Sequence, residues 1–188
     1  MPPSNDLALL TIEELFGDNS HYVIPIYQRN YAGGASEIEQ LVRDIADAAQ
    51  AADNADKPEE SKYFLGSLVV YVRDNNDGFH NRTTVYETID GQQRHTTLSI
   101  LLAYLKQITD CSQQDLTPLN LNLDFDSRPK SARTLQNLYQ PVQSDAPEEP
   151  SIRAAFTIIE RYFKTQAIDI SKFCQHLLKN VTILRVAV

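Results

Sequence analysis

Residues 89–94 read Ile-Asp-Gly-Gln-Gln-Arg and bring a carboxylate, two amides and a guanidinium within a few positions of one another. The apolar run that ends at Ile89 predicts a strand, and the leucines that recur at helical spacing from Leu98 onward predict a helix. Residues 90–94, called here the 90–94 motif, therefore lie where a strand passes into a helix. The unpaired N–H groups of a helix start attract anions. The guanidinium of Arg94 adds several coplanar N–H donors suited to phosphate. The carboxylate of Asp90 can ligate a metal ion or accept a hydrogen bond from a nucleotide hydroxyl.

The other side chains of the motif favour the same chemistry, but they leave a purely structural alternative. Gln92 and Gln93 can donate hydrogen bonds without adding charge, Gly91 permits a tight turn, and Thr96 supplies a hydroxyl one turn further on. In the alternative, Asp90 is only the N-cap of a helix whose glutamines are exposed. The Gln-Gln-Arg that follows Asp-Gly favours the anion site, although the pattern is less specific than a P-loop.

A second candidate site segment is Tyr27-Gln28-Arg29, which also follows a predicted strand and repeats the Gln-Arg pairing. It stands beside Gly33-Gly34, which predicts a flexible loop. The alternative is a surface arginine on an edge strand, and the segment alone does not decide between them. Because both Gln-Arg pairs follow strands, we predict that Arg29 and Arg94 point into one pocket.

The pattern of apolar and turn residues predicts an α+β domain with a mixed sheet and flanking helices. Strands are predicted at residues 21–26, 63–72, 82–89, 119–125 and 181–188, the second and third of them forming a hairpin. Helices are predicted after capping boxes at Thr11 and Ser36, at residues 92–108, after Arg133, and at residues 151–166 and 171–179. Gly66, inside an apolar run, indicates a bulge or a close backbone approach.

The bulk composition indicates an ordinary globular protein that is a poor free-standing binder of nucleic acid. The chain has 188 residues, 42% of them hydrophobic, and a net charge of -8, whereas phosphate binding depends on Lys and Arg. A local basic pocket remains compatible with that charge. We expect Cys111 and Cys174 to be reduced and structural, because they lack metal-site spacing. The absence of a signal sequence and of a long apolar run predicts a cytoplasmic protein without a membrane contact.

Three segments together resemble a known family: residues 24–31 (IPIYQRNY), residues 64–69 (FLGSLV) and residues 89–98 (IDGQQRHTTL). In order and spacing they are similar to the N-terminal domain of GmrSD-type, modification-dependent restriction enzymes, whose fold is ParB/sulfiredoxin-like. The chain departs from the family in two places. Ala32-Gly33-Gly34 stands where an aromatic residue is usual, and His95 stands where leucine is usual, which predicts an extra donor at the site.

The resemblance implies a nucleoside-triphosphate site, for GTP or another triphosphate with Mg²⁺. The catalytic residues would be Asp90, Gln92, Gln93 and Arg94, and the nucleotide-binding residues would be Tyr27, Gln28, Arg29, Gly91, Arg94 and Thr96. In this interpretation the two arginines neutralise phosphates and the two motif glutamines orient phosphate oxygens or water. Asp90 is the expected Mg²⁺ ligand.

The resemblance also implies a function and partners. Residues 1–140 would be a ParB/sulfiredoxin-like nucleotide-binding domain, and residues 141–188 a helical extension of a chain that continues in a longer protein. The expected function is a triphosphate-binding and hydrolysing regulatory domain of a prokaryotic anti-phage restriction system. The expected partners are modified DNA and a C-terminal HNH-type nuclease domain or subunit, and an oligomer is compatible with this. The alternatives are a DNA nickase that uses the same pocket and a non-catalytic sensor of DNA modification.

Overall fold

The computed structural model describes residues 6–54, 61–73, 84–108, 116–140 and 146–188. Over these ranges the strands are β1 (Asp6–Thr11), β2 (Ser20–Ile24), β3 (Tyr63–Val72), β4 (Thr84–Asp90), β5 (Leu123–Phe125) and β6 (Val181–Ala187). The helices are α1 (Ile12–Gly17), α2 (Ala35–Asp53), α3 (Gln92–Gln107), α4 (Pro129–Tyr139), α5 (Pro150–Thr165) and α6 (Ile170–Asn180). The mixed sheet and its helices confirm the predicted fold class.

The six strands form one sheet in the order β1-β6-β3-β4-β2-β5. β3 and β4 pair antiparallel, as the predicted hairpin requires, whereas β2 is parallel to both β4 and β5. β6 pairs antiparallel with β1 and parallel with β3. The segment after residue 140 therefore supplies an interior strand of this sheet in addition to two helices. That residues 1–140 and 141–188 form separate units stays a prediction.

At the ends of elements the structure confirms one local prediction, corrects two and adds a strand. The capping box at Thr11 is confirmed, since Glu14 N donates to Thr11 Oγ1 at 3.2 Å and Thr11 N to Glu14 Oε2 at 2.8 Å. The box predicted at Ser36 is wrong, because α2 begins at Ala35 and Gly34 is its N-cap. β1 was not predicted at all, and β5 is shorter than the predicted strand at residues 119–125.

α3 is the central helix of the core. Every residue from His95 to Leu105 is buried, and the helix packs against α4, α5 and β5. A helix that is buried on all its faces must be covered on several sides, which fixes its position and that of its first turn. Among the residues the structure describes, no helix is long and apolar enough to cross a bilayer.

The expectation that Cys174 is reduced is wrong. This residue is fully buried in α6 and takes part in a disulfide. Its wide sequence separation from the other cysteine gave no sign of this, because spacing along the chain does not determine which side chains meet. Cys111 lies outside the described residues.

Candidate functional site

The 90–94 motif lies at the junction that the sequence predicts. β4 ends at Asp90, Gly91 is the N-cap of α3, and Gln92 is the first residue of the helix. Gly91 has a φ of 90°, and a Cβ there would lie 2.9 Å from the Ser67 carbonyl oxygen of β3. Both facts require glycine. Asp90 is exposed and does not cap the helix, so the structural alternative for Asp90 is not what forms here.

Arg94 sits in a recess that Gly66 creates. Gly66 has a φ of 112°, and the register between β3 and β6 shifts between Phe64 and Ser67, which confirms the predicted bulge. A Cβ on Gly66 would lie 3.2 Å from Arg94 Nη1, which donates to the Ser67 carbonyl at 3.1 Å. Within the described residues Arg94 forms no ion pair, so its remaining donors are free for an anion.

Gln28 and Gln92 join the two candidate segments directly. Gln92 Nε2 donates to Gln28 Oε1 at 3.0 Å, and Gln28 Nε2 donates to the Ile89 carbonyl at 2.9 Å. The sequence placed these residues 64 positions apart. The structure therefore brings the Tyr27-Gln28-Arg29 segment to the 90–94 motif. Arg29 itself is exposed, and its convergence with Arg94 stays a prediction.

The Tyr27-Gln28-Arg29 segment belongs to a loop of residues 25–34, called here the 25–34 loop. Gln93 bonds to the backbone of this loop beyond Arg29. Its Nε2 donates to the Asn30 carbonyl at 3.2 Å, and its Oε1 accepts from Ala32 N at 2.9 Å. Tyr31 is buried, and a Cβ on Gly33 would lie 2.3 Å from its hydroxyl. The two glycines lie in a loop, as predicted, and the flexibility of that loop stays a prediction. Gly33 makes room for the packed side chain of Tyr31.

Tyr27 is anchored through a charged network that sequence reasoning missed. Tyr27 is 68% exposed, while its hydroxyl donates to Glu87 Oε1 at 2.5 Å. Glu87 also accepts from Arg73 Nε at 2.9 Å, and Arg73 forms an ion pair with Asp126. The hydrogen bond from Tyr27, followed by Arg73, lowers the pKa of Glu87 and keeps it ionised. No local signal could reveal this network, because its members come from four separate segments.

His95 does not add a donor to the site, contrary to expectation. Its ring is fully buried and packs edge-on against Phe16 and Tyr22, with centroids 5.4 and 4.8 Å away. Asn122 donates to the Leu15 carbonyl at 2.7 Å, so its Oδ1 accepts from His95 Nε2 at 3.2 Å. Burial lowers the pKa of His95 to about 4, against the smaller opposing effect of Asn122, and the imidazole is neutral.

Thr96 is also turned away from solvent. It is buried, and its hydroxyl donates to the Gln92 carbonyl one turn earlier at 2.8 Å. A threonine that bonds to its own helix in this way leaves no exposed hydroxyl at the site. Of the predicted site residues, those with exposed or half-buried polar groups at the junction are Tyr27, Gln28, Arg29, Asp90, Gln93 and Arg94.

Among the predicted site residues the one carboxylate is that of Asp90, which is exposed. A cavity of about 300 Å³ lies between α2, α5 and α6, and another of about 320 Å³ lies beside β5 and α4. Neither is lined by residues of the 90–94 motif. Among the described residues no cluster of three His, Cys, Asp or Glu side chains could hold a metal ion. A single exposed carboxylate such as Asp90 fits Mg²⁺ that is bound mainly by phosphates and water.

A comparison with protein families gives the wider context for this geometry. The model of the GmrSD restriction endonuclease N-terminal domain matches residues 12–187, which include all six helices, the strands from β2 to β6 and the 90–94 motif. A search among curated proteins finds no match. The resemblance stated from the sequence motifs is thereby confirmed, and the chain belongs to the family of GmrSD restriction endonuclease N-terminal domains.

Proposed function

We propose that this domain binds a nucleoside triphosphate at the 90–94 motif and thereby regulates a DNA restriction system. The observation that supports the proposal is the position of the Arg94 guanidinium and its lack of a carboxylate partner within the described residues. Its guanidinium is half-buried over Gly66, is held by one carbonyl, and forms no ion pair within the described residues. Such a preplaced cation is suited to an anionic ligand, because its orientation is fixed before the ligand arrives.

The start of α3 supplies further donors for phosphate. The first helical hydrogen bond runs from His95 N to the Gly91 carbonyl at 3.0 Å. The backbone N–H groups of Gln92, Gln93 and Arg94 therefore precede the helical ladder and carry partial positive charge. This end of the helix and the Arg94 guanidinium together favour a ligand with several negative charges, such as a triphosphate.

The 25–34 loop supplies the other contacts of the proposed site. Arg29 is exposed and long enough to approach phosphates, and Tyr27 presents an exposed ring on which a base can stack. Asp90 would hold Mg²⁺ directly or through water, and the ion would neutralise charge on the phosphate oxygens. We assign Thr96 no direct ligand contact, since its hydroxyl is buried.

For hydrolysis we assign different roles to the two glutamines of the motif. Both amide atoms of Gln93 hold the 25–34 loop, which makes Gln93 a positioning residue. Gln92 donates to Gln28 through Nε2, whereas its Oε1 accepts no hydrogen bond from the described residues. Gln92 Oε1 is thus the acceptor we propose for orienting an attacking water.

The family name connects the domain with DNA, and we propose that DNA is cut elsewhere in a longer protein or complex. The chain carries a net charge of -8, which disfavours a track for the phosphate backbone on this domain. Triphosphate binding here would control an HNH-type nuclease domain or subunit that acts on modified DNA. In this proposal the domain is the switch and the nuclease is the effector.

The experiment is a calorimetric titration with ATP, GTP, CTP and UTP, with and without Mg²⁺. The wild type should bind at least one of them, and Arg94→Ala should weaken that binding by about ten- to a hundredfold. Arg161→Ala removes an equal charge at a residue of α5 that is 61% exposed, and it should change nothing. If the wild type binds no triphosphate, the proposal is wrong and a sensor of DNA modification becomes the better interpretation.

A further inference from the structure

The turn between β5 and α4, residues 126–128, has an unusual backbone. Ser127 has a φ of 56°, and it is the one non-glycine residue with a positive φ among the described residues. Serine adopts this left-handed conformation uncommonly, and such residues persist where the surrounding contacts fix them. The turn is anchored to β2, because Asp126 N donates to the Ile24 carbonyl at 2.9 Å. The side chains on either side of Ser127 both lead to the 25–34 loop.

Arg128 holds the backbone of that loop. Its guanidinium donates to the carbonyl of Ile26 at 2.9 Å, to that of Arg29 at 3.4 Å, and to that of Gln28. A guanidinium presents several donors in a rigid fork, so one side chain can satisfy carbonyls that have no partner in a strand or helix. These three contacts direct the donors of Arg128 toward the protein backbone.

Asp126 is connected to the side chain of Tyr27 in the same loop. It forms an ion pair with Arg73, which donates to Glu87, which accepts the hydroxyl of Tyr27. Arg128 thus fixes the carbonyls before and after Tyr27, while Asp126 fixes its ring through two intermediates. Two residues of one turn, Asp126 and Arg128, therefore hold a single exposed aromatic residue through both its backbone and its side chain.

We infer that the 126–128 turn is a positioning element, with Arg128 as its principal residue, that holds the 25–34 loop in the conformation that binds the ligand. This inference rests on the proposed triphosphate site. Arg128 itself is not a contact of the proposed ligand. Arg128 acts by raising the fraction of molecules in which the loop is ordered. If the loop is ordered a tenth of the time, the apparent affinity for the ligand is about tenfold weaker.

The test compares Arg128→Gln, Arg128→Lys and Lys130→Gln by hydrogen exchange of residues 26–30 and by triphosphate titration. Lys130 is exposed near the start of α4. Its variant therefore removes one positive charge, as Arg128→Gln does, and serves as the control. We expect Arg128→Gln to speed exchange in the loop and to weaken binding about tenfold. Lys130→Gln should do neither, and Arg128→Lys should fall between them, since an ammonium cannot span three carbonyls.

The two measurements separate this inference from the proposed function. Unchanged exchange in Arg128→Gln would overturn the inference, and so would faster exchange with unchanged affinity in a protein that binds triphosphate. Lack of binding by the wild type would overturn the proposed function, while the exchange data would still decide whether Arg128 holds the loop. A folded Arg128→Lys with intermediate values would support the inference even if Arg128→Gln failed to fold.

Discussion

His95 makes the stability of this domain depend on pH, and the magnitude follows from its burial. The folded-state pKa is about 4, lowered mainly by burial, whereas an unfolded histidine has a pKa of about 6.5. Because the unfolded chain binds the proton more readily, stability is full above about pH 6.5 and declines as pH falls toward about 4. For these two values the loss between about pH 7 and about pH 5 is about 2 kcal/mol. In a chain of this length that corresponds to a melting temperature lower by about 4–8 °C.

The assay is urea unfolding of the wild type and His95→Gln at about pH 7 and about pH 5. Glutamine can still donate to Asn122 but does not titrate in this range. His176 is also buried, with its pKa lowered by burial, and it acts in the same direction in both proteins. The difference between the two proteins therefore isolates His95. If His95→Gln lost as much stability as the wild type over this range, the buried neutral imidazole would be refuted.

Two further substitutions test how the site is held. Gly66→Ala should destabilise the fold by about 1–3 kcal/mol and weaken triphosphate binding, because it strains a positive φ and displaces Arg94. Gly17→Ala, whose Cβ would make an ordinary contact at 3.6 Å, is the control in the same melting and titration experiments. If the two variants lowered stability and affinity equally, Gly66 would not be needed to make room for Arg94. Gln93→Ala should speed hydrogen exchange at the loop positions it holds, residues 30–32, and unchanged exchange there would show that these bonds do not order the loop.

The parts of the site that could be predicted are those that local sequence determines. The turn at Gly91 and the bulge at Gly66 follow from glycine within or after apolar runs, and both are present. The place of Arg94 in the first helical turn likewise follows from the local pattern, whereas its binding of an anion stays a proposal. These features depend on neighbours a few residues away, which a single sequence displays.

The parts that could not be predicted depend on contacts between distant segments. The place of β6 between β1 and β3 and the bond from Gln92 to Gln28 are long-range pairings, which periodicity does not specify. His95 illustrates the same limit inside a helix. Because α3 is covered on several sides, its sequence has no polar face that would reveal which way a histidine points.

Binding of a triphosphate by Arg94 can be observed by an NMR titration that follows the Nε–H signals of the arginine side chains. The Arg94 signal is assigned by its absence in Arg94→Lys, and the triphosphate that binds in calorimetry is then added with Mg²⁺. The Arg94 signal should shift in proportion to saturation, because phosphate becomes a new acceptor for the guanidinium beside Gly66. A saturating ligand that leaves the Arg94 signal in place while others move would show that Arg94 does not bind the triphosphate.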